Sequence, residues 1–228
     1  MQSNSKAKII TIEGSDGTGK ATQTAMLYEK LCSLGFKVVT FSFPRYGYGI
    51  GGKVLHTIIK SDEASYYNLS KQDPVAASLF YMIDRYDSKQ DIEKALMEND
   101  FVIMDRYYTA NQLHQGSKFA DEAQRAEFFD KINSIELDIL QIPKADMIIY
   151  LTIPWEESIK RMEKRYSNSN EKLNQTEADF DYIKNSIQNG LSIATYLKWH
   201  IINDEKGDMS KEERFEKVWE NVKAKFDL

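Results

Sequence analysis

The stretch that decides the fold is KIITIEGSDGTGKAT, from Lys8 to Thr22. It opens with the β-branched run at residues 9–12, which is typical of a buried strand. A glycine-rich segment with the spacing G-x-x-x-x-G-K comes next, and helical sequence follows it. Strand, glycine loop and helix therefore stand in the order that a phosphate-binding loop requires. The loop and its flank consist of Gly14, Ser15, Asp16, Gly17, Thr18, Gly19, Lys20, Ala21 and Thr22.

The residue types in this loop suit an anionic ligand. Glycines let the backbone wrap closely around a phosphate, because positive φ costs them little. Successive N–H groups and the helix N-terminus then direct partial positive charge at phosphate oxygens, and Lys20 adds a full charge near the outer phosphates. A glycine-rich turn before a helix is the competing interpretation. The agreement of motif, spacing and flanks favours a nucleoside triphosphate.

Ala21 departs from the motif. Ser or Thr usually stands at this position and supplies a hydroxyl to Mg²⁺. Thr22 lies one residue later and Asp16 lies inside the loop, so either residue is an alternative ligand, directly or through water. The protein ligand of the metal stays open between these two.

Length and composition narrow the class of protein. The chain has 228 residues, 42% of them hydrophobic, and a net charge of −5. This length suits one large α/β domain or two small ones, and we find no boundary, so a single domain over residues 1–228 is expected. The negative charge provides no basic field for nucleic acid. Cys32 is the lone cysteine, which excludes an intrachain disulfide framework and favours a reducing, cytoplasmic compartment.

No membrane segment is expected from the sequence. Residues 1–7 are short and polar, without an apolar signal region. No window approaches 18 uninterrupted apolar residues, so we expect no spanning helix.

Apolar runs alternate with helical patterns along the chain, which predicts a parallel sheet with helices on both faces. After the first run, the predicted strands are residues 36–43, 101–104, 147–153 and 199–202. The first predicted helix starts near Thr22. The other main predicted helices cover residues 72–98, 121–140, 155–164, 178–197 and 211–226. Residues 44–52 are predicted to be a loop, 54–60 a short helix and 61–71 a polar connection.

Charged side chains follow the predicted strands, where such sheets bind ligands. Arg45 follows the second strand, Arg106 follows the third, and Arg85 lies in the helix between them. Taken singly, each arginine is more simply a surface ion pair. Together they suggest a second anionic site, because guanidinium binds phosphate in a bidentate manner. Asp105 ends the third strand and either holds Mg²⁺ through water or pairs with Arg106 or caps a turn.

A polar segment, YSNSNEKLNQTE at residues 166–177, follows three cations. One interpretation is a solvated surface loop. The other is a lid, at about residues 165–177, that closes on the triphosphate, excludes water and brings a cation to the transferring phosphoryl group.

Three motifs in this order resemble the thymidylate kinase family: IEGSDGTGKATQT, FPRYG and DRYYTANQLHQG. A fourth stretch, IPKADMIIYL, resembles the strand that leads to the lid of that family. The resemblance covers nearly the whole chain. It implies a three-layer P-loop NTPase fold with about five parallel strands, and transfer of phosphate from ATP to dTMP with Mg²⁺. It also implies a homodimer, with dTMP as the partner molecule rather than nucleic acid or a membrane.

Two other functions stay open. One is the same chemistry on another pyrimidine monophosphate, dUMP or UMP. The other is a P-loop switch protein, although the chain contains no N-K-x-D guanine signature.

The resemblance implies roles for the second and third motifs. Phe43, Pro44 and Arg45 would line the acceptor site, with Arg45 toward the acceptor phosphate. Arg106 would lie near that phosphate, and Asp16 would hold the sugar 3′-hydroxyl region or the metal. Arg85 would meet the thymine or stack beside it, Asn111 would hydrogen-bond the base, and Phe80 or Tyr81 would add an apolar wall. His114 would lie at the position under the sugar, and Gln115 follows in the same element.

The resemblance also has a consequence for the catalytic cation. Some members carry Arg in the phosphate loop, where this chain has Gly17. The cation should therefore come from the lid, with Arg165 as the first candidate beside Lys20, Asp16 and Arg106, and Lys164 and Arg161 behind it.

Two other positions allow alternatives. His114 stands where the family often has Tyr, a residue that disfavours a 2′-hydroxyl. This departure argues against strict deoxyribose selectivity, although His114 could still fill the space or be a packed histidine. Asp179 and Asp181 either lie near the metal or are helix N-terminal acids favoured by the dipole.

Overall fold

A five-stranded parallel sheet lies at the centre of the computed structural model, which describes residues 7–61, 63–167 and 179–228. The strand order is β2-β3-β1-β4-β5, and every pair is parallel. All five predicted strands are confirmed, with bounds that differ by one or two residues. They are β1 (Lys8–Gly14), β2 (Val38–Ser42), β3 (Phe101–Asp105), β4 (Met147–Thr152) and β5 (His200–Asn203).

Helices cover both faces of this sheet. Ile10 packs with Leu27 and Val218 in one apolar cluster, whereas Ile9 packs with Ile92 in another. Consecutive strand residues point to opposite faces, so both faces need apolar side chains and the strands read as continuous apolar runs. The helices are α1 (Lys20–Ser33), α2 (Gly49–Ser61), α3 (Glu63–Gln72), α4 (Pro74–Asp87), α5 (Lys89–Glu98), α6 (Thr109–His114), α7 (Glu122–Asn133), α8 (Trp155–Ser167), α9 (Phe180–Tyr196) and α10 (Lys211–Phe226).

The sheet aligns the strand ends that carry the motifs. Asp105 lies in register with Ile12 on one side and with Ser42 on the other. The phosphate loop after β1, Phe43 after β2 and Arg106 after β3 therefore meet at one edge of the sheet. This edge is where ligands bind in open parallel sheets.

Several predictions between β2 and β3 were wrong. Residues 61–71 are not a connection, because α3 spans Glu63–Gln72. The predicted loop at 44–52 ends early, since α2 already begins at Gly49. A Cβ at Gly51 would lie 2.6 Å from the carbonyl oxygen of Ile83. This glycine therefore serves the close crossing of α2 and α4 rather than a turn.

The helix predicted over residues 72–98 is two helices, α4 and α5, which meet at Ser88. Its start is confirmed: Asp73 accepts a hydrogen bond from the Ala76 N–H at 2.9 Å, and Pro74 occupies the first turn. The helix predicted at 121–140 changes to a π-helical turn at Ser134–Ile139. Helix α6 was not predicted.

Within the described ranges, none of the helices combines the length and the apolar character needed to cross a bilayer.

Candidate active site

The phosphate loop is held in shape by side chains from inside and outside it. Lys20 Nζ donates to the Ser15 carbonyl oxygen at 2.9 Å. From outside, the Ser15 hydroxyl lies 3.0 Å from the Ser186 hydroxyl on α9, and Ser158 Oγ on α8 donates to the Asp16 carbonyl oxygen. The backbone at Gly17 has φ 77°, the left-handed conformation that the motif reserves for glycine. Contacts within the loop and to α8 and α9 therefore fix its shape.

Lys20 is buried at the base of this loop. Burial lowers the pKa of its amine to about 8, with Arg106 acting in the same direction and Asp16 and Asp105 in the opposite one. The amine is thus poorly neutralised by the protein itself. A phosphate anion would supply the missing negative charge.

Arg106 joins the loop to the rest of the site. Its Nη2 donates to Asp16 Oδ1 at 2.7 Å, and its Nη1 lies 2.5 Å from His114 Nε2. Burial alone would raise the pKa of Asp16, but Arg106 and Lys20 outweigh it and hold that pKa well below its usual range. Burial opposes the charge on Arg106, yet Asp16 and Glu13 keep its pKa above the usual value. The pair is therefore ionised.

His114 is neutral in this network. Burial, and then the positive charge of Arg106, lower its pKa well below the usual value. Because a guanidinium can only donate, Nε2 accepts from Arg106 and the proton resides on Nδ1. Nδ1 lies 3.1 Å from the Tyr182 hydroxyl on α9, so His114 connects the third motif to the helix that follows the lid region.

This state of His114 predicts a pH effect on stability. Its pKa is lowered on folding, so the unfolded chain binds more protons once the pH falls through about 6.5. The free energy of unfolding should then decrease with falling pH by up to about 1.4 kcal/mol per unit from this one group, and His114→Gln should remove that component. Urea unfolding between pH 7.5 and 5.5 measures it.

The exposed His56 provides the control, because His56→Gln should keep the wild-type slope. Equal slopes for wild type and His114→Gln would contradict a neutral, partly buried His114.

Two cavities meet at Asp16, Phe43 and Arg106. The first, here named the acceptor cavity, has a volume of about 340 Å³, within the range of small-ligand sites. Of the predicted residues, the structure brings into its wall Asp16, Phe43, Pro44, Tyr81, Arg85, Arg106, Asn111, His114 and Gln115.

Two predicted residues lie outside this wall. Arg45 Nη1 donates to Asp91 Oδ2 at 2.9 Å and to Ser88 Oγ at 3.0 Å, and its guanidinium lies over the ring of Tyr48. Phe80 packs edge-to-face against Tyr66 in a separate cluster. The role predicted for each of them remains a prediction.

The second cavity, here named the donor cavity, has a volume of about 370 Å³ and lies over the phosphate loop. Arg161 and Arg165 on α8 contribute to its wall, together with Asp105 and the loop, whereas Lys164 does not. The lid predicted at residues 165–177 falls mostly outside the described residues, since α8 ends at Ser167 and the description resumes at residue 179.

Asp179 begins that resumed part of the chain as a helix cap. Its Oδ1 accepts from the Tyr182 N–H at 2.9 Å, and its other oxygen lies 3.4 Å from Lys71 Nζ. Asp181 is exposed in the first turn of α9. Both positions agree with helix N-terminal acids.

The sequence reasoning missed three polar residues of the site. Glu13 is buried and accepts from Thr109 Oγ1 at 2.6 Å; a carboxylate inside an apolar strand was the available signal. Burial raises its pKa, and Arg106 opposes the shift. Tyr182 and Glu136 carried no such signal, because each is one polar residue in a stretch whose sequence has an ordinary amphipathic helical pattern.

The donor set suits a hard cation shared with phosphates rather than a metal held by protein alone. In the part of the chain that the structure describes, no group of three or more His, Cys, Asp or Glu side chains could hold a metal. Asp105 and Thr22 line the donor cavity beside Asp16. Mg²⁺ in phosphoryl-transfer sites takes one or two carboxylates plus water and substrate oxygens, so these residues fit it.

A glycine loop at the end of the central strand, opening into a donor cavity that shares a wall with an acceptor cavity, defines a P-loop phosphotransferase with a small-molecule acceptor. A sequence profile of the thymidylate kinase family matches residues 12–213, and the chain belongs to this family. It is therefore a nucleoside monophosphate kinase, and its reaction is the phosphorylation of dTMP, with ATP implied as the phosphoryl donor.

Individual relatives agree with this assignment. A thymidylate kinase of Caldicellulosiruptor saccharolyticus is 28% identical over 214 residues, covering 93% of this chain and 94% of the relative. A probable thymidylate kinase of Archaeoglobus fulgidus is 31% identical over 157 residues, covering 69% and 70%. The solved thymidylate kinase of Candida albicans has the same fold, with a TM-score of 0.70 at 23% identity, covering 96% of this chain and 92% of that one.

Proposed function

We propose that the chain carries out this reaction by direct transfer between two nucleotides, with ATP over the phosphate loop and dTMP in the acceptor cavity. The observation that carries the proposal is the shared wall of Asp16, Phe43 and Arg106, which lets the two ligands approach each other. A phosphate oxygen of dTMP forms a bond to the γ-phosphorus of ATP while the bond from that phosphorus to ADP breaks. The products are dTDP and ADP.

Cations from three elements would stabilise the charge on the transferring group. Lys20, Arg106 and Arg165 all line the donor cavity. Lys20 would meet the outer phosphates of ATP, and Arg106 and Arg165 would meet the transferring group. Phosphoryl transfer depends on such positioning and charge more than on covalent chemistry. Asp16 keeps Arg106 oriented through the 2.7 Å ion pair.

The metal would be held at the same junction. Asp16 and Asp105 line the donor cavity and would supply carboxylate oxygens, and Thr22 would supply a hydroxyl, directly or through water, since Ala21 has none. When bound, Mg²⁺ would neutralise charge on the phosphates of ATP.

The acceptor cavity suits a pyrimidine nucleotide. Phe43, Pro44, Arg85, Asn111 and His114 all line it. Phe43 and Pro44 would offer apolar surface, Arg85 and Asn111 would offer polar groups to the base, and His114 would meet the sugar. Arg45 would reach the acceptor phosphate only after it leaves Asp91 and Ser88. Its role at that phosphate is therefore the least supported of the set.

The first experiment is a coupled ADP-release assay with ATP, Mg²⁺ and dTMP, dUMP, UMP, dCMP or dAMP. Arg165→Ala should lower kcat with dTMP by about 10²–10³-fold, the range for loss of one transition-state donor. Lys160→Ala changes an exposed cation on the same helix and should leave kcat unchanged.

Each outcome of the panel bears on a different claim. Equal rates with dTMP and UMP would mean that His114 does not exclude a 2′-hydroxyl. ADP release that ignores every acceptor would favour the switch protein instead. An Arg165→Ala enzyme with wild-type kcat would remove the α8 cation from the mechanism.

We also propose that residues 1–228 form one kinase domain that assembles as a homodimer in the cytoplasm. The support for a dimer is an apolar stripe on α4: Leu79, Ile83 and Tyr86 are exposed at helical spacing, whereas Met82 is in the core. Sedimentation equilibrium tests this, because a monomer at micromolar concentration would contradict it.

A further inference from the structure

A buried carboxylate lies behind the base end of the acceptor cavity, and no role described so far uses it. Glu136 belongs to the π-helical turn Ser134–Ile139, a rare conformation that is frequent at functional sites. Its side chain is 2% exposed. Oε1 accepts from Arg85 Nε at 2.5 Å, and Oε2 accepts from Arg85 Nη2 at 3.0 Å.

The same carboxylate reaches Asn111. Asn111 Nδ2 lies 3.4 Å from Glu136 Oε2 and 3.2 Å from the Ser78 carbonyl oxygen. Both neighbours are acceptors, so the amide must turn its NH₂ group toward them. The Oδ1 oxygen of Asn111 is then the group left for a ligand in the cavity that this residue lines.

Arg85 is fixed in a similar way. Its hydrogen bonds to other described residues use the Nε–H and one N–H of Nη2, which leaves both N–H groups of Nη1 and the second one of Nη2 as donors of a side chain in the cavity wall. Glu136 thus sets a donor on Arg85 beside an acceptor on Asn111. Thymine and uracil present the complement, an O4 acceptor next to an N3–H donor, whereas cytosine presents a donor at N4 and an acceptor at N3.

We propose that Glu136 is a positioning residue that sets selectivity for thymine and uracil over cytosine, by fixing the direction of the free groups of Arg85 and Asn111. This inference rests on the proposed function in placing the acceptor base beside these two residues. Stability alone is a poor reason for the pair, because a buried ion pair contributes little over an apolar pair of similar volume. A carboxylate with two acceptor oxygens adds a fixed orientation of the Arg85 and Asn111 side chains.

The test is Glu136→Gln, a nearly isosteric substitution. The new side-chain amide would offer one acceptor and one donor where the carboxylate offers two acceptors, so Arg85 or Asn111 would lose a hydrogen bond that fixes its direction, and the Ser78 carbonyl oxygen would remain as the other contact of the Asn111 amide. We expect Glu136→Gln to lower the preference for dTMP over dCMP by at least about tenfold. The preference is measured both as the ratio of Kd values from calorimetry and as the ratio of kcat/KM, and the KM for ATP should not change.

Two further variants sharpen the test. Glu127→Gln makes the same substitution at an exposed position on α7 and should keep the wild-type preference. Glu136→Asp keeps a carboxylate but is one methylene shorter, so its preference should lie between those of wild type and Glu136→Gln. It also takes the place of Glu136→Gln if that variant fails to fold, and an unchanged preference in it would then overturn the proposal.

A Glu136→Gln enzyme with the wild-type ratio would overturn the proposal. An equal loss for all acceptors together with a lower Tm would also overturn it, because that pattern indicates a structural role alone. Calorimetry separates this inference from the proposed function. If the wild-type protein binds dTMP in preference to dCMP but transfers no phosphate, only the proposed phosphoryl transfer is contradicted. If it binds the two nucleotides equally, only the role of Glu136 in base selectivity is contradicted.

Discussion

Arg106→Ala should lower kcat/KM for dTMP by about 10³-fold, the size expected when a cation at the transferring phosphate is lost. Two effects combine. The charge at the junction of the cavities disappears, and Asp16 loses the partner that contributes most to its low pKa. Backbone strain does not account for the difference between wild type and Arg106→Ala, because Arg and Ala pay a similar cost for the left-handed φ of 64° at this position. ADP release at saturating ATP measures the loss.

Arg106→Lys is the matched variant. It keeps the positive charge but cannot reach Asp16 and His114 at once with a planar fork. It should therefore fall between wild type and Arg106→Ala. Thermal unfolding of all three proteins shows whether they fold. An Arg106→Ala enzyme that folds and keeps most of the wild-type kcat/KM would remove Arg106 from the catalytic set.

The second large effect concerns Gly17. Family members that carry Arg at this position suggest that Gly17→Arg could replace a missing lid cation, but the structure argues against it here. The backbone φ is 77°, and a Cβ would lie 2.6 Å from the Ser158 carbonyl oxygen. We expect Gly17→Arg to lower the free energy of unfolding by about 2–4 kcal/mol from strain and overpacking together. It should not restore kcat to Arg165→Ala.

Gly17→Ala separates sterics from charge. The clash with Ser158 begins at Cβ, which alanine and arginine share. Gly17→Ala should therefore show most of the decrease in the free energy of unfolding and in kcat that Gly17→Arg shows. Urea unfolding and the coupled assay measure the two quantities. Recovery of activity in the Gly17→Arg, Arg165→Ala double variant would contradict the steric argument and show that the loop can move away from Ser158.

The parts of the fold that the sequence predicted well are those that local pattern determines. The five strands read as apolar runs because both faces of the sheet are covered. The last helix, Lys211–Phe226, was predicted to the residue, and Ser210 and Glu213 form a capping box at its start. Helix α3 was missed because its sequence is mostly polar, and the predicted loop ran into α2 because glycine can serve either a turn or a close helix crossing.

The site was harder to predict wherever a partner is distant in the chain. Residues of the third motif line the acceptor cavity, and the roles predicted for them there remain predictions. No local pattern, however, shows that Arg45 meets Asp91, 46 residues away, or that Arg85 meets Glu136, 51 residues away. Which charges pair depends on packing between helices, and the π-helical turn that brings Glu136 inward is not visible as a periodicity.

The wall shared by the two cavities has a thermodynamic consequence. A nucleotide that shifts Asp16, Phe43 or Arg106 from one side changes the surface that the other nucleotide meets. The two binding equilibria are then coupled, and the closed cycle makes the coupling reciprocal. ATP must change the affinity for dTMP by the same factor by which dTMP changes the affinity for ATP, whichever of the two arrives first.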